Sequence, residues 1–382
     1  MPTTLTTNTI PVDGWPCSED RPPRHALVTA LTSLQPQILV LTDDGLWRLR
    51  KVSHENDRLK AQRIHRAGGR VMSVSPRGAT VFSCRGDGLI NALGTTTDHP
   101  FAFAYQCEYD ILSIAALCDT AALVATRTAI WVMNTDDKTG QAMTRNVRMQ
   151  RVAGSQLAGF RWGVPAKETI FAEVTTIAAL PVSAHRWRVV GHDRFARKLF
   201  AFNLTFTPCI GEQWIASTVT CIAGDGSPHA PFGGLVRLEP TATPYIAFAT
   251  TWLGTRFPDN SCQRRQARCG YAVNTITGNA VQLCEVTEPM LLTPGLYGDI
   301  IAIKTNKAIL ISNSRGPSAA IRFFTGFCSR FRPRACLTAA QRAAVVLLEH
   351  ACSKAGIPQE LQQHILSYVA IDALGRNNIC PI

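Results

Sequence analysis

The sequence predicts a mainly β chain: a β-propeller of six or seven blades, followed by a small C-terminal α-helical appendage. Three observations carry this expectation. Short apolar runs recur in threes between residues 25 and 315, at a spacing of about 40 to 45 residues that suits one propeller blade. Gly-containing tight turns separate the second and third runs of the first two triplets. Long helical periodicity is absent from the same region. A lone four-stranded sheet cannot bury both faces, so the units must stack, and closing the stack into a ring leaves only short edges. A pair of β-sandwiches is the competing architecture; the regular triplet favours the ring.

Taken in order, residues 1–24 read as a flexible polar tail, Thr-rich at first and then running through Arg21-Pro22-Pro23. The propeller region spans 25–330. Its first unit pairs His25–Leu31 with Gln37–Leu41 and turns at Asp43-Asp44-Gly45 into Leu46–Leu49. The second joins Arg70–Val74 and Ala79–Cys84, then turns at Gly86-Asp87-Gly88 into Leu89–Leu93. In the third, Ile111–Ala115, Ala121–Thr126 and Ala129–Met133 follow one another, and Trp131-Val132-Met133-Asn134 resembles the signature strand of a WD repeat without its Trp-Asp pair. Gly140 to Lys167, rich in Arg, Gln and Gly, reads as an inter-blade insertion. The fourth unit runs through Val174–Leu180, Trp187–Gly191 and Lys198–Phe202. The fifth is read as Thr218–Ala223, Tyr245–Thr250 and Tyr271–Gly278, with a long polar loop from Leu253 to Cys269. Met290–Thr293, Asp299–Ile303 and Lys307–Ile311 make the sixth.

Composition bounds the class. With 46% hydrophobic and 17% charged residues in 382, the chain is globular and not disordered. No apolar run approaches the roughly 18 residues of a membrane span, and the N-terminus lacks the basic start and apolar core of a signal peptide. A cytoplasmic or nuclear protein without membrane attachment is expected. The 13 cysteines are odd in number and include no Cys-x-x-Cys, so reduced thiols are expected, with no metal and no cofactor. The net charge of +12 favours anionic partners. Arg264, Arg265 and Arg268, in the polar loop of the fifth unit, are the candidate basic surface for an acidic partner protein. Nucleic acid ranks behind, because no recognition module accompanies the charge. Catalytic signatures are missing: there is no Gly-x-Ser-x-Gly, no phosphate loop and no His-Glu-x-x-His. His185, His192 and Asp193 read as a structural group in a turn, so no enzyme is expected.

The appendage, 331–382, begins after Arg330-Phe-Arg332-Pro-Arg334. Thr338-Ala-Ala-Gln341 reads as a capping box opening an Ala/Val/Leu-rich helix, which Gly356 stops, with Lys354 in the last turn. A second helix is expected from Pro358, with Ile357, Leu361, Ile365 and Val369 on one stripe and Leu366 beside it. The wording Ile357-Pro358-Gln-Glu360-Leu361 … Ile365-Leu366-Ser367-Tyr368-Val369, followed by Asp372, Leu374, Ile379 and Cys380, resembles an F-box. A shifted register resembles a SOCS box, with Leu337 opening its first helix and Gln341 in place of that family's Cys. Either resemblance implies an adaptor of a cullin-type ubiquitin ligase: the propeller binds an unknown target, while Ile357, Pro358, Leu361, Ile365, Leu366 and Val369 dock the ligase adaptor subunit. A C-terminal F-box-like element is also similar to that of certain viral ankyrin-repeat proteins, which implies a viral or divergent origin. The alternative is a non-enzymatic interaction scaffold whose C-terminal helices cap the ring.

Overall fold

A computed structural model describes residues 5–14, 23–29, 37–51, 59–76, 78–95, 102–135, 147–155, 157–183, 185–208, 213–224, 232, 234–240, 245–252, 268–286, 291–294, 300–303, 307–313, 350, 351 and 354–357. The chain enters with β1 (Leu5–Asp13). A first meander follows, of β2 (His25–Thr29), β3 (Gln37–Thr42), β4 (Gly45–Lys51) and β5 (Leu59–His65). The second holds β6 (Val71–Val74), β7 (Thr80–Cys84), β8 (Leu89–Gly94) and β9 (Ala102–Gln106). In the third lie β10 (Ser113–Ala116), β11 (Ala121–Ala125), β12 (Ala129–Thr135) and β13 (Val147–Gly154). After a 3-10 turn at Ala166–Glu168, the fourth comprises β14 (Val174–Ser183), β15 (Arg186–Asp193), β16 (Lys198–Thr207), β17 (Gln213–Ala216) and β18 (Thr220–Ala223). The fifth has β19 (Leu235–Pro240), β20 (Ile246–Trp252), β21 (Arg268–Asn274) and β22 (Ala280–Val286). A last run contains β23 (Leu291–Pro294), β24 (Ile300–Ile303) and β25 (Lys307–Asn313).

Among the described residues these strands form five hydrogen-bonded sheets. Four are single meanders. The fifth, of eight strands in the order β2-β3-β4-β5-β1-β25-β24-β23, is two antiparallel runs joined at one seam. At that seam Val12 and Asp13 pair in parallel with Leu59 and Lys60, while Leu5 to Pro11 pair antiparallel with Asn313 to Lys307. The N-terminal strand thus joins the last strands of the ring to the first. First strands of successive meanders lie side by side, and β23 returns to lie against β2. The fold is a mainly β propeller.

Local chemistry explains the strands. β11, Ala-Ala-Leu-Val-Ala, is buried at every residue because neighbouring meanders cover both its faces, and its small side chains permit that approach. Gly191 stands opposite Phe200 across β15 and β16, and the phenyl ring occupies the place where a Cβ would go. At the β7–β8 turn Gly88 takes φ +84°, and its N–H donates to Arg85 O at 3.2 Å.

Several expectations are corrected. The tail expected through Arg24 holds β1, a Thr-rich strand whose partner lies at the far end of the chain, with Pro11 tolerated at its edge. Each of the first three meanders has a fourth, outer strand that the apolar triplets omit. The supposed insertion from Gly140 contains one of them, β13, in antiparallel register with β12. Thr220–Ala223 pairs with β16 and belongs to the fourth sheet; the fifth begins at β19, whose charged residues interrupt its apolar run. Arg268 opens β21 opposite Trp252, so it is a strand residue and not part of the loop. Arg264 and Arg265 lie outside the described residues. So do Pro358, Leu361, Ile365, Leu366 and Val369; of the appendage, His350, Ala351 and Lys354 have helical backbone. Gly356 follows with φ +67°, the expected helix stop, and Ile357 is half-buried.

Candidate interaction face and central channel

In a meander that starts at the axis and ends at the rim, the turn between second and third strands emerges on the same face as the segment leading to the next meander. On this face the third and fourth meanders project exposed apolar side chains. Leu157 and Phe160 lie in the segment after β13, and Phe195 in the β15–β16 turn; they are 68%, 60% and 59% exposed. Large apolar side chains so far out of the core carry a hydration cost that a partner would relieve.

The segment holding Leu157 and Phe160 is braced. Gly159 N–H donates to Phe171 O, Arg161 and Ile170 exchange backbone bonds at 3.0 and 3.1 Å, and Gly163 N–H reaches Val219 O at 2.9 Å. Its end is tied to the Phe195 turn through Asp193. That carboxylate accepts from Ala172 N–H at 2.8 Å, Glu173 N–H at 3.4 Å and Ala196 N–H at 3.1 Å. Burial pushes the Asp193 carboxyl above its ordinary range, opposed by the backbone N–H groups of Ala196, Ala172, Glu173 and Phe195. His192 does not pair with it: its Nδ1 meets Thr175 Oγ1 at 3.0 Å, and burial pushes its pKa down to about 4. Asp193 is therefore a structural brace, but the His–Asp hydrogen bond read from the sequence is not formed: His192 meets Thr175 instead. Around the apolar side chains stand exposed Arg127, Arg161 and Arg194; only Arg194 has an acidic neighbour at ion-pair distance among the described residues, Glu173 at 3.9 Å. The signal for this face was the apolar Leu157 and Phe160 inside a polar segment, together with the basic run at 194–198.

The axis is lined differently. The inner strands β2, β6, β10 and β14 each offer a polar side chain to a backbone N–H of the next meander. Met72 N–H donates to His25 Nδ1 at 2.9 Å and Ala116 N–H to Ser73 Oγ at 2.9 Å. Ile177 N–H donates to Ser113 Oγ at 3.1 Å, and Leu238 N–H to Thr176 Oγ1 at 3.0 Å. Because His25 Nδ1 accepts, its neutral ring carries the proton on Nε2. That Nε2 lies 3.5 Å from Glu239 Oε1, and Arg237 Nη1 lies 3.8 Å from the same oxygen. Arg237 Nη2 donates to Arg24 O at 3.0 Å. Burial pushes Glu239 up to about 8, against the pull of Arg237 and of the adjacent Thr293 hydroxyl. Burial, helped by Arg237, pushes His25 well below the usual imidazole value. A cavity of about 110 Å³ is lined by His25, Ser73, Ser113, Thr176, Arg237 and Glu239, among others.

Among the described residues no group of His, Cys, Asp and Glu could hold a metal, and no helix is long and apolar enough to cross a membrane. No family model matches the chain, and no curated protein sequence matches it. Solved structures similar to it include the WD40 repeats of RRP9, at TM-score 0.43 and 10% identity over 81% of this chain and 99% of that one. U3-55K is similar at TM-score 0.43 and 10% identity, over 80% and 98%. The β-propeller domain of Cps50 (Swd1) from Myceliophteria thermophila is similar at TM-score 0.42 and 11% identity, over 80% and 99%. The likeness concerns fold alone, and the propeller assignment rests on the strand order described above.

Proposed function

We propose that the chain is a six-bladed propeller serving as a protein-interaction scaffold, with its binding face at the third and fourth meanders. The count of six takes the eight-stranded sheet as two blades, because among the described residues its halves meet only at Val12–Asp13 and Leu59–Lys60. The observation that carries the function is the braced loop pair presenting Leu157, Phe160 and Phe195 among Arg127, Arg161 and Arg194. Apolar anchors held on a rigid frame bind with little ordering cost, and the surrounding arginines favour an acidic partner surface. The test compares wild type with a Leu157→Ser, Phe160→Ser, Phe195→Ser variant by affinity capture from the source cell. Expected is loss of specific partners with unchanged melting, since exposed substitutions usually change stability by within about ±0.5 kcal/mol each. Identical capture profiles would sink the reading.

A second reading makes the scaffold a ubiquitin-ligase adaptor. It draws support from the left-handed Gly356, which ends a helical turn immediately before the F-box-like residues. Replacing Leu361 and Ile365 with Ala would then abolish co-purification of a cullin and its adaptor subunit, each anchor costing upwards of about 1–2 kcal/mol in binding. Absence of any cullin-ligase component from the wild-type capture would exclude the adaptor role.

A further inference from the structure

We propose that the central channel binds a small oxyanion, seated on the hydroxyls of Ser73, Ser113 and Thr176, on His25 Nε2–H and on the Arg237 guanidinium. The inter-strand bonds already use the three hydroxyl oxygens as acceptors. Their O–H protons have no acceptor among the described residues, and all three residues line the cavity. His25 adds a donor from the same wall, its Nε2 being buried without a hydrogen bond among those residues. Arg237 adds a half-buried guanidinium whose pKa burial lowers, against the pull of Glu239.

The acceptor side is sparse. Among the described residues Glu239 is the one carboxyl lining the cavity, and its oxygens lie too far from His25 and Arg237 for good hydrogen bonds. Water filling the space would bring two protons per molecule to a wall that is mostly donors, whereas an oxyanion brings only lone pairs. A cavity of about 110 Å³ has room for several water-sized groups and so for acetate, formate or phosphate. Glu239 decides when it binds. Carrying a proton, it leaves the Arg237 charge uncompensated and can itself donate to the anion. Ionised, it repels the anion and neutralises the guanidinium. Binding above the Glu239 titration range therefore takes up one proton.

The test uses the full chain and calorimetric titration with acetate, formate and inorganic phosphate at constant ionic strength. Expected is saturable one-to-one binding at about pH 6 that weakens at least about tenfold by about pH 9, as Glu239 loses its proton. Glu239→Gln should keep the binding and lose the pH dependence. Arg237→Met should abolish it; if that chain does not fold, Arg237→Lys, which keeps the charge without the planar fork, should weaken it. A peptide carrying a single Glu distinguishes the sources: competition with acetate assigns the site to a partner's side chain, and acetate binding without competition assigns it to a free acid. No saturation by any of the three anions at about 10 mM, ten times a 1 mM dissociation constant, would overturn the proposal. Equal wild-type affinity at both pH values, or a density map with water alone in the cavity after soaking, would do the same.

Discussion

Two junctions of the ring are built on opposite principles. Between the third and fourth meanders the packing is apolar and aromatic. Phe171, Phe200, Phe202, Trp187 and Trp214 are buried in one cluster, with Phe171 and Phe200 ring centroids 4.6 Å apart and Trp187 and Trp214 at 5.3 Å. Gln150 adds a two-way bond with the Trp214 backbone, at 2.8 and 3.2 Å. Where the ring closes, the described cluster holds Ala26, Ile38, Val40, Leu49, Leu291 and Ile303, and beside it lie His25, Arg237 and Glu239. The first junction rests on area and shape, which do not titrate. The second places ionisable groups in a largely buried wall, so its strength depends on their protonation. The ring is thus held firmly on one side and conditionally on the other.

The largest expected effect breaks the apolar junction. Phe200→Ala removes the ring that covers Gly191 and packs on Phe171, and should cost about 3–5 kcal/mol by transfer and cavity terms together. Urea denaturation at two pH values checks it, and the loss should be equal at both. A loss that varies strongly with pH would show that the two junctions are not separable.

The closing junction should respond to pH itself. Glu239 has a folded pKa of about 8 against an ordinary value of 4.5, so the native state binds the proton more tightly. That stability is fully present below about pH 4.5 and falls as pH rises towards and through 8, a change of up to about 5 kcal/mol. His192 has the opposite sign: depressed from 6.5 to about 4, it loses stability as pH falls through that window. Glu239→Gln should flatten the alkaline side of the stability profile and leave the acid side in place. Melting temperatures between about pH 4 and pH 9 decide this, and a variant profile parallel to wild type would remove Glu239 from the account.

How far the sequence reveals these junctions follows from the same chemistry. The middle strands, such as Ala121–Ala125 and Phe200 with its neighbours, are covered on both faces and read as unbroken apolar runs. The outer strands have one face or edge towards water, so β5, Leu-Lys-Ala-Gln-Arg-Ile-His, has no apolar stripe to detect. β19 is missed for a different reason. It is an inner strand, yet Arg237 and Glu239 replace the apolar residues that would mark it, so the reading fails at the candidate binding site. β1 is missed because its partner lies some 300 residues away, and nothing local in Thr6-Thr7-Asn8-Thr9 specifies that pairing.

A smaller effect tests the neutral inter-strand bonds. Ser113→Ala leaves the buried Ile177 N–H without its acceptor, which should cost about 1–2 kcal/mol at any pH. Thr176→Val does the same to Leu238 N–H at the fourth-to-fifth junction, and the two losses should be similar. Chemical denaturation of both variants would show whether the hydroxyl bonds are equivalent around the ring. A loss at Thr176 that grows with pH would tie that bond to the charged cluster beside it.

The smallest effect separates surface charge from buried charge at the closure. Arg24 makes a two-pronged contact with Asp43, its Nη2 lying 2.7 Å from Oδ2 and its Nε 3.0 Å from Oδ1. Both side chains are about half exposed, at 46% and 59%. Water and salt screen such a pair, so Arg24→Gln should cost only about 0.2–1 kcal/mol, and less at high ionic strength. What Arg24 gives the buried cluster is its backbone carbonyl, which accepts from Arg237 and survives the substitution. The pH profile set by Glu239 should therefore be unchanged in this variant. Melting curves with and without about 1 M salt measure the first claim, where the screening length is about 3 Å, and the same curves across pH measure the second. A shifted alkaline limb would mean that the Arg24 charge reaches Glu239 through the protein, and that the conditional side of the ring extends to its surface.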